Sequence, residues 1–269
     1  MKLIFSEDKP DYENYSFPYA VWALPEENET PSTIFNQGFL PSSKELDRFY
    51  LCRQIRVDLA EFEQSSENRR ILRKGEHLRY KLIPKADFEY SDQWRNFCKE
   101  YTDKRFGQDV MPFDRLDSLF NSKITTHLMI FTDPELNQDV GLVTLYLEEN
   151  KLAFYYYSFY DLKSPVKNLG MFMMTQSVDY FARKKFKHIY LGSCYSRNAL
   201  YKTQFKGFQF FNGFRWSTDL KELKFLLQRD QSERKHHLVE NPEFIMQFYE
   251  NTIENVYKES NFKICLRSE

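Results

Sequence analysis

The sequence predicts an α/β (α+β) fold: a mixed central sheet flanked by helices, joined to a smaller N-terminal portion. Three observations carry this expectation. Residues 124–216 read as strand, strand, strand, helix, strand, helix, strand, and a helix linking two strands of one sheet makes a right-handed parallel crossover. Hydrophobic residues are 42% of 269 and aromatics 17%, enough to build a sizeable core and too much for a disordered chain. Residues 1–45, by contrast, hold several prolines and many acids around one strand-like run, "YAVWAL". The expected division is 1–110 for the N-terminal portion with its basic helix and first strands, 111–230 for the main domain, and 231–269 for a C-terminal helical extension.

The elements follow in order. "FYLCRQIRVDLAEF" (49–62) alternates Ile55, Val57 and Leu59 with polar residues, the period of a strand. "QSSENRRILRK" opens a helix, with Ser65 or Ser66 as cap, Glu67 in the first turn and Gly75 as the stop. "SDQWRNFCKEYTDKRF" (91–106) sets Trp94, Phe97, Cys98 and Tyr101 on one helical face. Strand-like runs at 124–131, 139–149 and 151–161 come next, the last two joined by a hairpin turn at "ENK". Helical spacing of Met171, Met174, Val178 and Phe181 marks 168–186. "HIYLGSCY" reads as a strand, "SRNALYKTQFKGF" (196–208) as a helix and "GFQFFNGFRWS" as a further strand. "LKELKFLL" and a helix over 241–259 close the chain. Within "FYYYSFYD", strand alternation sets Tyr155, Tyr157 and Phe159 on one face and Phe154, Tyr156, Ser158 and Tyr160 on the other.

Composition excludes several function classes. There are only 8 glycines and neither GxGxxG nor GxxxxGK[ST], so no Gly-rich phosphate loop is expected. With a net charge of -1, a nucleic-acid partner needs a local basic patch. "RRILRKGEHLRYKLIPK" supplies one: Arg69, Arg70, Arg73 and Lys74, then Arg79, Lys81 and Lys85, against Glu76 alone. It is either a solvated helix face followed by an edge strand or a contact to phosphates. No run approaches the roughly 18 apolar residues of a membrane span, and the opening residues turn acidic too soon for a secretory signal. Cys52, Cys98, Cys194 and Cys265 are far apart without a CxxC pair. No disulfide framework or metal site is expected, and a reducing cytoplasm is the expected location. Oligomeric state is left open. Cys194 reads as a buried inert thiol and His127 as a hydrogen-bonded core histidine, while His236 and His237 fall in a polar linker. Arg56 interrupts an apolar alternation and so needs a partner: either a substrate carboxylate, gripped by its bidentate fork, or a structural ion pair.

The order over 124–216 is similar to the second half of an acyltransferase domain of the GNAT type. In that architecture two parallel strands splay apart at their ends and admit an acyl donor beside a helix N-terminus. Here that terminus is "KNLGMF", where Gly170 would allow close backbone approach. The longer [QR]xxGx[GA] loop usual in acetyl-CoA enzymes is absent from the sequence.

Two blocks resemble the aminoacyl-tRNA–protein transferases, the arginyl and bacterial leucyl enzymes of the N-degron pathway. "CRQIRVDLAEFEQSSENRRILRK" (52–74) is similar to a family segment in which a cysteine leads to an Arg-containing strand and then to a basic helix. "YYYSFYDLKSPVKNLGMF…HIYLGSCYSRNALYKTQFKGF" (155–208) is similar to a second family block. It matches at Phe159, Tyr160, Asp161, Leu169, Gly170, Tyr190, Leu191, Gly192, Ser196, Tyr201, Lys202 and Phe205. One departure is plain. The bacterial family carries a "C..C..C" cluster before the first block, and here only its last cysteine remains, as Cys52, with Leu46 and Phe49 in the other two places. No metal or iron–sulfur role is therefore carried over.

The resemblance implies transfer of an aminoacyl group from charged tRNA to the N-terminal amine of an acceptor protein, usually one beginning with Asp or Glu. No cofactor is implied. It suggests Asp161 as proton acceptor or positioning group for the amine, unless it is a turn or cap carboxylate. Tyr201 would donate near the scissile carbonyl or the leaving ribose hydroxyl, and Lys202 would sit at a terminal phosphate. Arg56, Tyr157, Gly170, Ser196 and Asn198 are the expected substrate-binding residues, and Arg69, Arg70, Arg73 and Lys74 the expected tRNA contacts. The attacking α-amine has an ordinary pKa of about 7.7–8.0 and loses its proton easily, so catalysis can rest on positioning and on donors to the oxyanion. Two other readings stay open: an acyl-CoA-dependent N-acyltransferase of the GNAT type, using acetyl-CoA, and a non-catalytic relative that binds RNA or protein.

Overall fold

The structure is a computed structural model that describes residues 1–13, 15–231 and 237–262; His236 and Cys265 lie outside the described residues. The chain opens with β1 (Lys2–Glu7), β2 (Tyr19–Leu24), α1 (Pro31–Asn36), β3 (Phe39–Pro41) and β4 (Phe49–Leu51). Their strands form an antiparallel sheet in the order β1-β2-β4-β3. Next come β5 (Gln54–Asp58), α2 (Ser66–Lys74), β6 (Arg79–Pro84), α3 (Asp92–Phe106) and α4 (Phe113–Asn121). After them run β7 (His127–Asp133), β8 (Gln138–Glu148), β9 (Leu152–Tyr160), α5 (Leu169–Arg183) and β10 (His188–Ser193). The last elements are β11 (Phe208–Phe211), β12 (Trp216–Ser217), α6 (Leu220–Arg229), α7 (Pro242–Phe248) and α8 (Ile253–Glu259).

The large sheet has the order β12-β11-β5-β10-β9-β8-β7-β6. It is mixed: β9 and β10, joined by α5, are parallel, and every other neighbour pair is antiparallel. The α/β expectation holds. Pairing nevertheless runs across the expected boundary at residue 110, because β5 lies between β10 and β11 and β6 forms the far edge. One apolar cluster lies beneath α5 and α6, a second between the two sheets, and a third under α3 and α4. Among the described residues no helix is long and apolar enough to cross a membrane.

Local chemistry explains most element ends. Ser65 and Asn68 form a capping box at the start of α2, each side chain bonded to the other's backbone N–H at 3.1 Å. Ser91 caps α3 through the Trp94 N–H. Four expectations need correction. The strand expected over 49–62 breaks at Cys52-Arg53, where the chain steps from one sheet to the other. The helix expected over 196–208 is a 3-10 segment, Arg197–Thr203, which carries the chain over β5 to reach β11. "GFQFFNGFRWS" is a hairpin, turned at Asn212-Gly213, where Gly213 has φ +103°. The C-terminal helix is two helices, interrupted by left-handed Glu250 and Asn251 (φ 51° and 60°), while the buried Tyr249 hydroxyl accepts from Asn212 Nδ2 at 2.7 Å.

The face assignment in β9 is also corrected. Tyr157 opposes Thr144 and Tyr155 opposes Leu145, so Tyr156 is an extra residue, a β-bulge. One inserted residue reverses the alternation beyond it. Tyr155 therefore joins the core beneath α5, whereas Tyr157 and Phe159 face α3 and α4. Thr144 Oγ1 pins the bulge by accepting the Tyr157 N–H at 3.1 Å. Thr144→Val keeps the shape but strands that buried donor, so urea unfolding should show a loss of about 1–3 kcal/mol. A loss under about 0.5 kcal/mol would mean that the hydroxyl does not hold the bulge.

Candidate active site

The sheet opens where β9 and β10 part. Their parallel ladder covers only Leu152–Phe154 against His188–Tyr190. Within two residues of that ladder each strand bulges, β9 at Tyr156 against β8 and β10 at Leu191 against β5. Gly192, at φ +81°, supplies the left-handed conformation the second bulge requires. Past this level the strands diverge around a cleft of about 810 Å³. Its walls are the outer half of β9, residues 161–168, the start of α5, the end of α3 and the 3-10 segment.

The chemistry of the cleft is phenolic and cationic. Tyr155 Oη is buried with no hydrogen-bond partner among the described residues, and burial, only partly offset by the nearby Ser158 side chain, drives its pKa far above the ordinary phenol value, so it is a neutral donor. Tyr201 lines the opposite wall; burial raises its pKa, with Tyr160 adding to the effect and Arg105 opposing it. Lys202 Nζ donates to the Ser193 carbonyl at 3.0 Å and has no ion pair among the described residues. Burial lowers its pKa, and only the nearby Cys194 and Cys52 oppose that shift. Both thiols are themselves pushed up by burial, Cys52 to about 12, so they remain protonated and are poor nucleophiles.

Asp161 ends β9 and lines the cleft, with Oδ1 accepting the Lys163 N–H at 2.8 Å in the following turn. Tyr157 also lines it, from the face set by the bulge. Gly170 is at the cleft wall, but packing is reason enough for the glycine: a Cβ there would meet the Tyr160 ring at 2.6 Å. Ser196 and Asn198 are exposed at the start of the 3-10 segment and do not line the cleft. Arg56 lies away from it, buried in β5. Its Nε donates to Gln209 Oε1 at 2.7 Å, its Nη1 to Asn36 Oδ1 at 3.0 Å and to Tyr190 Oη at 3.3 Å, and its guanidinium stacks 3.7 Å over Trp216. Its partners among the described residues are neutral, so no structural ion pair holds it there.

The basic helix approaches the cleft at one end. Lys74, at the end of α2, and Lys167 line an adjoining cavity of about 450 Å³, and Val166 and Lys167 line the cleft as well. In the same cavity His77 Nε2 is 3.6 Å from the buried Asp133 carboxylate. Of the remaining basic residues, Arg70 is paired with Glu67, Arg69 donates to the Gln64 carbonyl at 2.6 Å and Arg73 is exposed. Tyr101, Arg105 and Lys167 are cleft residues that sequence reasoning did not single out for the site. The first two reach it only because α3 docks across the end of β9, which no local pattern announces.

Around Cys52 the places of the family's other two cysteines are apolar. Leu46 and Phe49 pack in the cluster between the sheets, with Phe49 edge-on to Phe35 at 6.1 Å. Among the described residues no group of three or more His, Cys, Asp or Glu side chains could hold a metal ion.

No family model matches the chain. It is 25% identical over 202 residues to an aspartate/glutamate leucyltransferase of Ruegeria sp. (strain TM1040), covering 71% of this chain and 72% of that relative. It is 28% identical over 178 residues to the aspartate/glutamate leucyltransferase of Vibrio parahaemolyticus (63% and 72% covered). It is also 28% identical over 185 residues to that of Marinobacter nauticus (62% and 72% covered). Among solved structures it is similar to L-PGS from Bacillus licheniformis, at 15% identity and TM-score 0.40 over 52% of this chain and 44% of the other. A GCN5-related glucosamine N-acetyltransferase region of a fungal β-N-acetylglucosaminidase gives 10% identity and TM-score 0.38 over 59% and 19%. The fold class rests on the strand order and crossover themselves. On the shared sequence, the chain is similar to aspartate/glutamate leucyltransferases, which supports its resemblance to the aminoacyl-tRNA–protein transferases.

Proposed function

We propose that this chain moves an aminoacyl group from charged tRNA to the N-terminal amine of a protein that begins with Asp or Glu. The observation that carries the proposal is the opening of β9 from β10 into a cleft lined by the unpartnered Tyr155 phenol, Tyr201 and Lys202. Its volume of about 810 Å³ suits a terminal nucleoside and its amino acid. The amine nitrogen attacks the ester carbonyl carbon, the amide C–N bond forms and the C–O bond to the ribose breaks. Tyr155 donates to the carbonyl oxygen as negative charge develops there. Asp161 takes the proton leaving the amine and releases it to water. Tyr201 protonates the ribose oxygen and recovers its proton from water. Lys202, an ammonium with no carboxylate partner among the described residues, holds a phosphate of the RNA end. Substrates of this kind place the reaction in the cytoplasm.

The decisive assay incubates the protein with radiolabelled aminoacyl-tRNAs and peptides beginning with Asp or Glu, and label on the peptide is expected. Acylation that instead requires acetyl-CoA, or tight coenzyme A binding by calorimetry, overturns the proposal in favour of a GNAT-type N-acyltransferase. RNA binding with no transfer to any peptide points to a non-catalytic relative.

A tRNA lying along α2 toward the cleft would touch Lys74 and Lys167. Replacing both by Ala should weaken filter binding and lower the magnitude of the log K against log[salt] slope by about 1–2. An unchanged slope removes these contacts from the path.

Lys202 gives a pH signature. Its folded pKa lies below the ordinary value, so its charge disappears as pH rises through that lowered pKa, beneath about 10.4. In that window the unfolded chain still holds the proton, so this residue makes folding stability rise with pH. Affinity for an amide-linked aminoacyl-tRNA analogue moves the opposite way and should fall over the same window. Lys202→Arg, whose guanidinium does not titrate there, should flatten the fall. A fall that persists in the Arg variant assigns it to another group.

A further inference from the structure

Adjoining the cleft at Tyr160, Asp161 and Leu162 is a second cavity, about 640 Å³, between α3 and the start of β8. Tyr101, Tyr160, Asp161 and Leu162 line both spaces, so a group at Asp161 can be approached from either. The two spaces differ in charge. The cleft sets Arg105, Lys167 and Lys202 against Asp161 alone. The second cavity sets Glu100, Asp139 and Asp161 against Lys104 and Lys163. With three acids against two lysines, where the cleft has three cations against one acid, the second cavity is the less favourable of the two for an RNA backbone and the more favourable for a free α-amine.

The carboxylates are not equivalent. Asp139 Oδ1 accepts from Thr132 Oγ1 at 2.7 Å. Glu100 is shared by Lys104 and by Lys163, the latter at 3.7 Å, so one cationic charge in that trio is left over. Asp161 engages a backbone N–H through Oδ1, and its other oxygen has no hydrogen bond among the described residues. The cavity therefore offers the Asp161 carboxylate and a cationic surplus where Lys163, in the turn after β9, meets Glu100 and Lys104 on α3, with the Trp94 and Phe97 rings also in the lining.

We infer that this second cavity is the acceptor site. It takes a peptide N-terminus with the α-amine at Asp161 and an acidic first side chain at Lys104 and Lys163. This rests on the transferase proposal above and deepens it: RNA and peptide reach Asp161 from two adjoining cavities, and the two lysines select the acidic residue. Both are surface side chains, so replacing them leaves the core intact.

The test reads binding rather than turnover. Fluorescence anisotropy follows a labelled peptide beginning with Asp as it titrates onto the full chain and onto the Lys104→Glu, Lys163→Glu double variant. Two exposed charge reversals should weaken the Asp peptide about tenfold. The same peptide beginning with Ser should bind both proteins equally, and tRNA retention on filters should change by less than about twofold. Acetylating the peptide's amine should weaken binding to both proteins. The inference is overturned if the wild type binds no peptide, if the double variant binds the Asp peptide as well as wild type, or if tRNA binding falls in parallel. A protein that meets the binding expectations but transfers nothing sinks the transferase proposal and leaves the acceptor site standing.

Discussion

Everything distinctive about this molecule follows from a parallel ladder that stops after three residues. A pair of strands running side by side has no reason to separate while each backbone group finds its partner. Here both strands lose that partner at the same level, because each has accommodated an extra residue against its other neighbour. The opening is therefore imposed from outside, by β8 on one strand and β5 on the other. Cleft width, the reversed faces of β9 and the position of Lys202 beneath the gap all derive from that mismatch.

The same constraint explains why the cleft carries so little ionised acid or thiol. Partly enclosed groups with few opposite charges nearby take the neutral form when burial penalises charge. The tyrosines and cysteines around the gap obey that rule, and Lys202 is drawn toward it. What remains is a set of neutral donors beside the cationic Arg105, Lys167 and Lys202, with Asp161 as the one carboxylate in the lining.

Much of the fold was legible because the signals were local. The capping serine of α2, the glycine that stops it and the periodicities of α3 and α5 are written in consecutive residues. The turn at Asn212-Gly213 is also written locally, in an Asn-Gly pair, but the apolar residues on either side mask it by reading as one strand. The bulge at Tyr156 is different in kind, since it exists only by virtue of Thr144 on the next strand. Arg56 shows a middle case. Its place in an apolar run correctly demanded partners, but the pattern could not say that Asn36, Gln209, Tyr190 and Trp216 would meet it from four separate segments. Asp161, Tyr201 and Lys202, which the resemblance points to, line the cleft, whereas Arg105 and Lys167 come to it only through the packing of the folded chain.

The insertion of β5 between β10 and β11 has a consequence for how the molecule is made. Arg56 and Tyr190 are neighbours in the sheet yet 134 residues apart in the chain. Contacts of such separation form late, because the loop they close must first lose its freedom. As the chain leaves the ribosome, β5 waits as an apolar strand with two unpaired edges until residues 188–211 have followed it. An apolar strand in that state is prone to pair with the wrong partner. The strand that shapes the cleft is thus also the one whose assembly is most exposed to error.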